Sequence, residues 1–158
     1  MEYIRVIPLS ETEVDEIIPH RRPFRFIESV LEVEFGRRAV AMMSDLSQPG
    51  YKWIEAHFPS FHVVPGAIIL EALAEVGAVA VLGLPQNRNK IAMLTGADQI
   101  RWRKEVIPGQ PLRLETEITN LRSNFGRGYG KAILNGDVLA AEGSISFFIV
   151  PKPPQTQR

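Results

Sequence analysis

The stretch Gly66–Leu84 constrains this chain more than any other. It is nineteen residues long and apolar except for Glu71 and Glu75. It nears the length that crosses a bilayer, roughly 20 residues, but two carboxylates make that placement costly. A buried helix is the better reading. Ala67–Leu82 is sixteen residues, or about 24 Å of helix at about 1.5 Å per residue. Ile68, Leu70, Leu73, Val76, Val79, Val81 and Leu82 leave no broad polar face, so neighbours must cover the helix on most sides. Gly83 and Pro85 stop it.

The flanking sequence supplies the cover. Ser10-Glu-Thr-Glu13 has capping-box spacing and predicts a short helix over Thr12–Ile18, ended by Pro19. His20–Phe24 reads as an ordered loop. Strands are expected over Phe26–Phe35 and Arg38–Leu46, joined at Gly36, with a loop over Ser47–Tyr51. After the long helix come strands at Ile91–Thr95, Ile100–Val106, Leu112–Leu121, Gly128–Leu134 and Val138–Ile149. Asn135-Gly136 signals a two-residue hairpin. The Gly-rich Phe125–Gly130 precedes a strand and opens no helix, which fits a bulged or twisted strand edge and not a dinucleotide loop. One helix among five or six antiparallel strands gives an α+β domain over residues 1–150, with a polar, Pro-rich, frayed tail at 151–158. Uncovered apolar surface and free strand edges invite a second copy.

Composition narrows the chemistry. Lys plus Arg and Asp plus Glu are 18 each, which argues against bulk attraction to nucleic acid or anionic membrane. There is no cysteine, hence no disulfide scaffold, thiolate nucleophile or Cys-ligated zinc. Three histidines without a His-Glu-x-x-His helix are a poor metal set. Met1–Ser10 lacks the apolar core of a signal peptide, and a cytoplasmic location is expected.

The chemically informative run is Ala56–Glu71. His57 sits in a Pro-rich loop before the helix, and Glu71 sits one and a half turns into it. Imidazole takes a proton near neutral pH, and a carboxyl among apolar groups can hold one to donate. Gly66 lets a ligand approach the N–H groups of the helix start. Base, acid and anion site suit proton abstraction beside a carbonyl. Against this stand plainer readings: a lone loop histidine is more often structural, and Glu75 can be a solvated position sharing a face with Glu71.

Several blocks together resemble the FabZ-type 3-hydroxyacyl-[acyl-carrier-protein] dehydratases: Ile18-Pro-His-Arg-Arg-Pro-Phe24, His57-Phe-Pro, Val63–Ala74, Gly96–Arg103 and Val106–Leu112. The likeness spans about Glu13–Val150, and the fourteen-residue interval from His57 to Glu71 is the family's own. It implies a hot-dog fold, a helix wrapped by a curved antiparallel sheet, built as a dimer and usually as a trimer of dimers. It implies that His57 removes the C2 proton, that Glu71 of the partner subunit protonates the leaving hydroxyl, that the Val63 carbonyl orients His57, and that the Gly66 N–H binds the thioester oxygen. No metal or redox cofactor is implied; the substrate rides on the phosphopantetheine of acyl carrier protein. Arg101, Arg103 and Lys104 form a basic stretch, read either as a solvated face or as a dock for that acidic carrier. The chain departs from the family pattern at Arg22, Ala56, His62 and Glu75, where Tyr, Gly, Pro and Gln are usual, and over Gln48–Trp53. His20 and His62 read as structural loop residues. Rival readings are a hot-dog thioesterase and a non-catalytic carrier-binding subunit.

Overall fold

The computed structural model describes residues 4–5 and 8–155. In chain order the elements are β1 (Ile4–Arg5), α1 (Glu11–Ile17), β2 (Ile27–Glu34), β3 (Arg38–Met43), a 3-10 helix (Pro49–Ala56), α2 (Gly66–Leu82), a short 3-10 turn (Pro85–Asn87), β4 (Lys90–Trp102), β5 (Leu112–Leu121), β6 (Phe125–Leu134) and β7 (Val138–Pro151). The strands make one antiparallel sheet in the order β1-β2-β3-β5-β6-β7-β4. The sheet curls around α2, which packs against β2, β3, β4, β5 and β6. This is the hot-dog architecture.

The capping box at α1 forms as the sequence implies: the Glu13 N–H donates to Ser10 Oγ at 3.2 Å, and the Ser10 N–H donates to Glu13 Oε2 at 2.8 Å. α2 starts one residue before the expected position and stops where expected. At its C-terminus the Gly83 N–H donates to Val79 O at 3.2 Å, and the Asn87 amide donates to Val81 O at 2.8 Å. From Val76 to Leu82 every residue is buried. In the N-terminal half Ala67, Leu70, Glu71 and Ala74 stay partly open, a stripe at helical spacing that is apolar apart from Glu71.

The sheet reaches the helix closely because β6 presents glycine on that side. Gly126, Gly128 and Gly130 are buried, while Phe125, Arg127 and Tyr129 alternate with them. A Cβ on Gly130 would lie 3.1 Å from Leu73, and one on Gly126 would lie 2.2 Å from the Phe147 ring. The Gly-rich stretch is therefore not a strand edge. It lies in mid-sheet between β5 and β7, and its glycines answer to packing. Beside it, Thr116 Oγ1 donates to Leu73 O at 2.8 Å and ties β5 to the helix.

Two expected strands, Ile91–Thr95 and Ile100–Val106, are one strand, β4. Register shifts after Leu94 and Asp98, with Gln99 at φ 51°, absorb the irregularity that the sequence shows as a break. β4 leaves the ladder at Trp102 because the N–H groups of Arg103 and Lys104 both turn to Ala140 O, at 2.7 and 3.2 Å. Residues 47–51 are not simply loop: Pro49 opens the 3-10 helix that buries Tyr51 and Ile54. β3 ends at Met43, short of Leu46, where the Ser44 N–H donates to Phe26 O at 2.7 Å. The Asn135-Gly136 hairpin forms as expected, both residues at positive φ (52° and 85°). The tail is better held at its start than expected: Pro151 pairs with Lys90, and the Lys152 N–H donates to Asn89 O at 3.2 Å. Residues 156–158 of that tail lie outside the described residues.

Among the described residues, β4 is an edge strand of thirteen residues with a free outer side. Met93, Leu94 and Trp102 on it are large, apolar and exposed. Among the described residues no helix is long and apolar enough to cross a membrane.

Candidate active site

His57 caps the C-terminus of the 3-10 helix, its N–H donating to Ile54 O at 2.9 Å. Its ring stacks on Phe58 with centroids 3.9 Å apart. His57 Nδ1 lies 3.2 Å from Val63 O. A carbonyl only accepts, so this contact selects the Nδ1–H tautomer and leaves Nε2 with a free lone pair. The loop carrying Val63 is itself pinned, since the Val64 N–H donates to Val106 O at 2.8 Å.

His57 opens onto a cleft of about 360 Å³, lined also by Phe58, Phe61, Val63, Gly66 and Trp102. Gly66 is the first residue of α2, and Pro65 before it provides no side-chain cap. Hydrogen bonding within the helix begins at the Ile68 N–H, which donates to Pro65 O at 2.9 Å. Gly66 thus lines the cleft at the positive end of the helix, where the first backbone N–H groups have no partner within the helix. The Gly66 carbonyl accepts from the Trp102 indole N–H at 3.0 Å, and a Cβ at position 66 would meet that nitrogen at 2.5 Å. A side chain at position 66 would have to displace the indole.

Glu71 opens onto a different cleft, of about 200 Å³, lined by His20 and by Ala74, Ala78, Leu94 and Phe147 among other apolar groups. His20 Nε2 sits 3.3 Å from Glu71 Oε1. The loop bearing His20 is fixed by Arg21, whose guanidinium donates to Ile18 O, His20 O and Asp15 O at 2.8–2.9 Å. One turn along α2, Glu75 is fully buried. Its Oε1 accepts from the Phe26 N–H at 2.9 Å, and its Oε2 has no partner. Burial pushes the Glu75 carboxyl up to about 7, against the pull of the Phe26 N–H and of His20.

His20, Glu71 and Glu75 each bring a donor atom within 4.8 Å of the others. Glu75 Oε1 and His20 Nε2 are already committed to Phe26 and Glu71. Glu75 Oε2 and His20 Nδ1 remain without a partner. His62 contributes to neither cleft; its Nε2 lies 3.2 Å from Pro59 O on an exposed loop. Of the basic stretch, Arg103 and Lys104 line the His57 cleft and Arg101 does not. Arg103 also pairs with Glu142 at 2.7 Å. Within one chain, then, the sequence-derived base, its orienting carbonyl and Gly66 come together, while Glu71 faces elsewhere. His20, read from the sequence as a structural loop residue, is the one whose contact with Glu71 was not foreseen. Its block was noted, but nothing in the spacing says that residue 20 meets residue 71.

A curved sheet around a helix, with an imidazole in one cleft and a carboxyl in another, defines a hot-dog domain equipped for acid–base chemistry. The model of the FabA-like domain family matches residues 18–142. The 3-hydroxyacyl-[acyl-carrier-protein] dehydratase FabZ of Moorella thermoacetica is 47% identical over 140 residues, covering 88% of this chain and 95% of the relative. That of Thermomicrobium roseum is 44% identical over 152 residues, covering 95% and 99%. Among solved structures, a chain of the dehydratase heterocomplex ApeI:P from Xenorhabdus doucetiae superposes with a TM-score of 0.71 over 90% of this chain and 91% of that one, at 16% identity, a likeness of fold. The chain belongs to the FabZ-type dehydratases, the hydro-lyases of fatty-acid biosynthesis.

Proposed function

We propose that the chain dehydrates (3R)-3-hydroxyacyl-[acyl-carrier-protein] to the trans-2-enoyl thioester at a site shared by two copies. His57 Nε2 takes the C2 proton. Glu71 of the partner subunit gives a proton to the C3 hydroxyl, which leaves as water. The Gly66 N–H and the helix terminus hold the charge that develops on the thioester oxygen. No metal or redox cofactor enters this reaction, since the thioester itself acidifies C2.

The observation that carries the reading is the contact of His57 Nδ1 with Val63 O, which in the neutral ring makes Nε2 the acceptor, beside a cleft that Gly66 at the start of α2 also lines. Sharing between subunits is supported by two further features. Glu71 lines a separate cleft of its own chain, on the partly open stripe of α2. β4 beside that cleft has a free, apolar edge for a second copy. Closed symmetry would then give two sites per dimer, and dimers can assemble further into a trimer of dimers. Arg103 and Lys104, with Arg101 next to them, make a basic approach to the His57 cleft suited to an acidic carrier protein.

The test is complementation. His57→Ala and Glu71→Gln are each expected to lose about 10²–10⁴-fold in turnover, the range for general acid or base catalysis. Mixed dimers of the two inactive variants contain one site with both groups. Enoyl formation should therefore return on subunit exchange. No return despite demonstrated exchange would overturn the shared site, and near-wild-type turnover in either variant would remove that residue from the reaction.

A further inference from the structure

We infer that Trp102 is a positioning residue of this site: its indole N–H fixes the first peptide of α2, and with it the end of the helix that holds the thioester oxygen. This inference rests on the role given to the start of α2 above.

The helix start lacks the local anchors that such an end usually has. Its N-cap is Pro65, which provides no side-chain hydrogen bond, and its first residue is Gly66, whose backbone is the least restricted of any residue. Bonding within the helix begins only at the Ile68 N–H. Such a start frays unless something outside the helix holds it. Two bonds from β4 and the chain beyond it do so. The Val64 N–H donates to Val106 O at 2.8 Å, just ahead of the helix. The Trp102 indole N–H donates to Gly66 O at 3.0 Å, inside the first turn, from thirty-six residues away.

β4 delivers the indole to that place. Trp102 is the last residue of the strand and pairs with Ala141, and the next two N–H groups both turn to Ala140 O. The strand end is therefore held on either side of the tryptophan. Gly66 and the indole are complementary in shape: a Cβ on Gly66 would lie 2.5 Å from Nε1 and 2.7 Å from Cε2. The indole fills the space that a side chain at 66 would take.

The carbonyl of one residue and the N–H of the next belong to one planar group. A donor on Gly66 O thus sets the plane that carries the Ala67 N–H. It also draws charge toward the oxygen, which makes that N–H a stronger donor. The N–H groups of Gly66 and Ala67 precede the helix's own bonding, so they are the two free to meet a ligand. Trp102 is half-exposed and lines the His57 cleft together with Gly66 and Val63. One side chain thereby ties the wall of the base's cleft to the donors of the anion site. Preorganised donors are what stabilise developing charge, so a loosened helix start should slow turnover more than it weakens binding.

The experiment removes the N–H and keeps the ring, in the full-length assembled protein. Trp102 is replaced by benzothienylalanine, a bicyclic isostere with sulfur in place of the N–H, and in parallel by Trp102→Phe. Rates are taken per folded chain, with circular dichroism and sedimentation as controls, on a 3-hydroxyacyl thioester of carrier protein. Both variants are expected to lower kcat about 3–10-fold, the range for one lost hydrogen bond, with KM within about twofold. Ultraviolet resonance Raman should show a hydrogen-bonded indole N–H in the wild type that is missing from Trp102→Phe. Unchanged kcat in the folded isostere overturns the inference. So does a loss confined to KM, which makes Trp102 a wall for substrate only, or a loss that vanishes when rates are counted per folded chain. Should His57→Ala turn over like wild type, the proposed function fails instead; an inactive His57→Ala beside an unaltered isostere overturns the positioning role alone.

Discussion

Glu75 has a thermodynamic signature that does not depend on activity. In the unfolded chain its carboxyl ionises near 4.5, whereas in the fold it holds its proton up to about 7. Between those values the folded chain keeps a proton that the unfolded chain has released to solvent. Folding must therefore retain a proton against rising pH, and stability falls across the window at about 1.4 kcal/mol per unit. From 4.5 to 7 the loss sums to about 3 kcal/mol, fully present above pH 7 and absent below pH 4.5. Glu75→Gln abolishes the titration. Its amide introduces a fixed cost, because one buried N–H₂ group replaces Oε2, and that cost is the same at every pH. The difference between the two chains at pH 8, less the difference at pH 5, isolates the proton effect. We expect the variant to gain roughly 2–3 kcal/mol relative to wild type over that interval. At about 2–4 °C per kcal/mol for a chain of this size, that is roughly 4–12 °C in relative Tm. Thermal or urea unfolding at fixed protomer concentration reads it, since assembly contributes to apparent stability. Parallel stability–pH curves for the two chains would refute the claim that a protonated carboxyl is buried at position 75.

Other consequences concern the assembly and the base. Met93→Lys places a charge on the exposed outer strand β4, clear of both clefts; sedimentation should show smaller species, and dehydratase activity should fall with them. A fully active monomeric variant would show that one chain suffices. Gly66→Ala should cost about 1–3 kcal/mol, because its Cβ meets the Trp102 indole at 2.5 Å. Activity should fall further than stability alone accounts for, as the helix start is displaced from the thioester oxygen, and unchanged kcat/KM would remove Gly66 from the site.

Much of this molecule was legible in its sequence because local signals and tertiary packing agree. β5 has the bounds expected for it, the Asn135-Gly136 hairpin follows from turn chemistry, and α2 is where an apolar run bounded by Pro65 and Gly83 must be. The misreadings have physical causes. Gly96–Gln99 separates the two runs read as strands, yet pairing to β7 carries β4 through register shifts there, with Gln99 at positive φ. Tyr51 and Ile54 are three residues apart, a helical spacing hidden behind Pro49-Gly50. Half of the candidate site was readable for the same reason: His57, Val63 and Gly66 lie close in sequence. The His20–Glu71–Glu75 cluster joins residues about fifty positions apart, and only the packing of the loop before β2 against α2 brings it about.

The alternation along β6 implies an uneven tolerance to change. An added carbon on Gly126 would lie 2.2 Å from the Phe147 ring, and on Gly128 or Gly130 it would press on strand or helix at 3.2 and 3.1 Å, while Arg127 is exposed between them. Saturation mutagenesis of residues 125 to 130 should give a chequered map: even columns almost blank, odd columns well populated. A reader who saw only that map, with its invariant small residues two apart, would take it for a nucleotide loop. It would instead be the imprint of a helix pressed against a sheet.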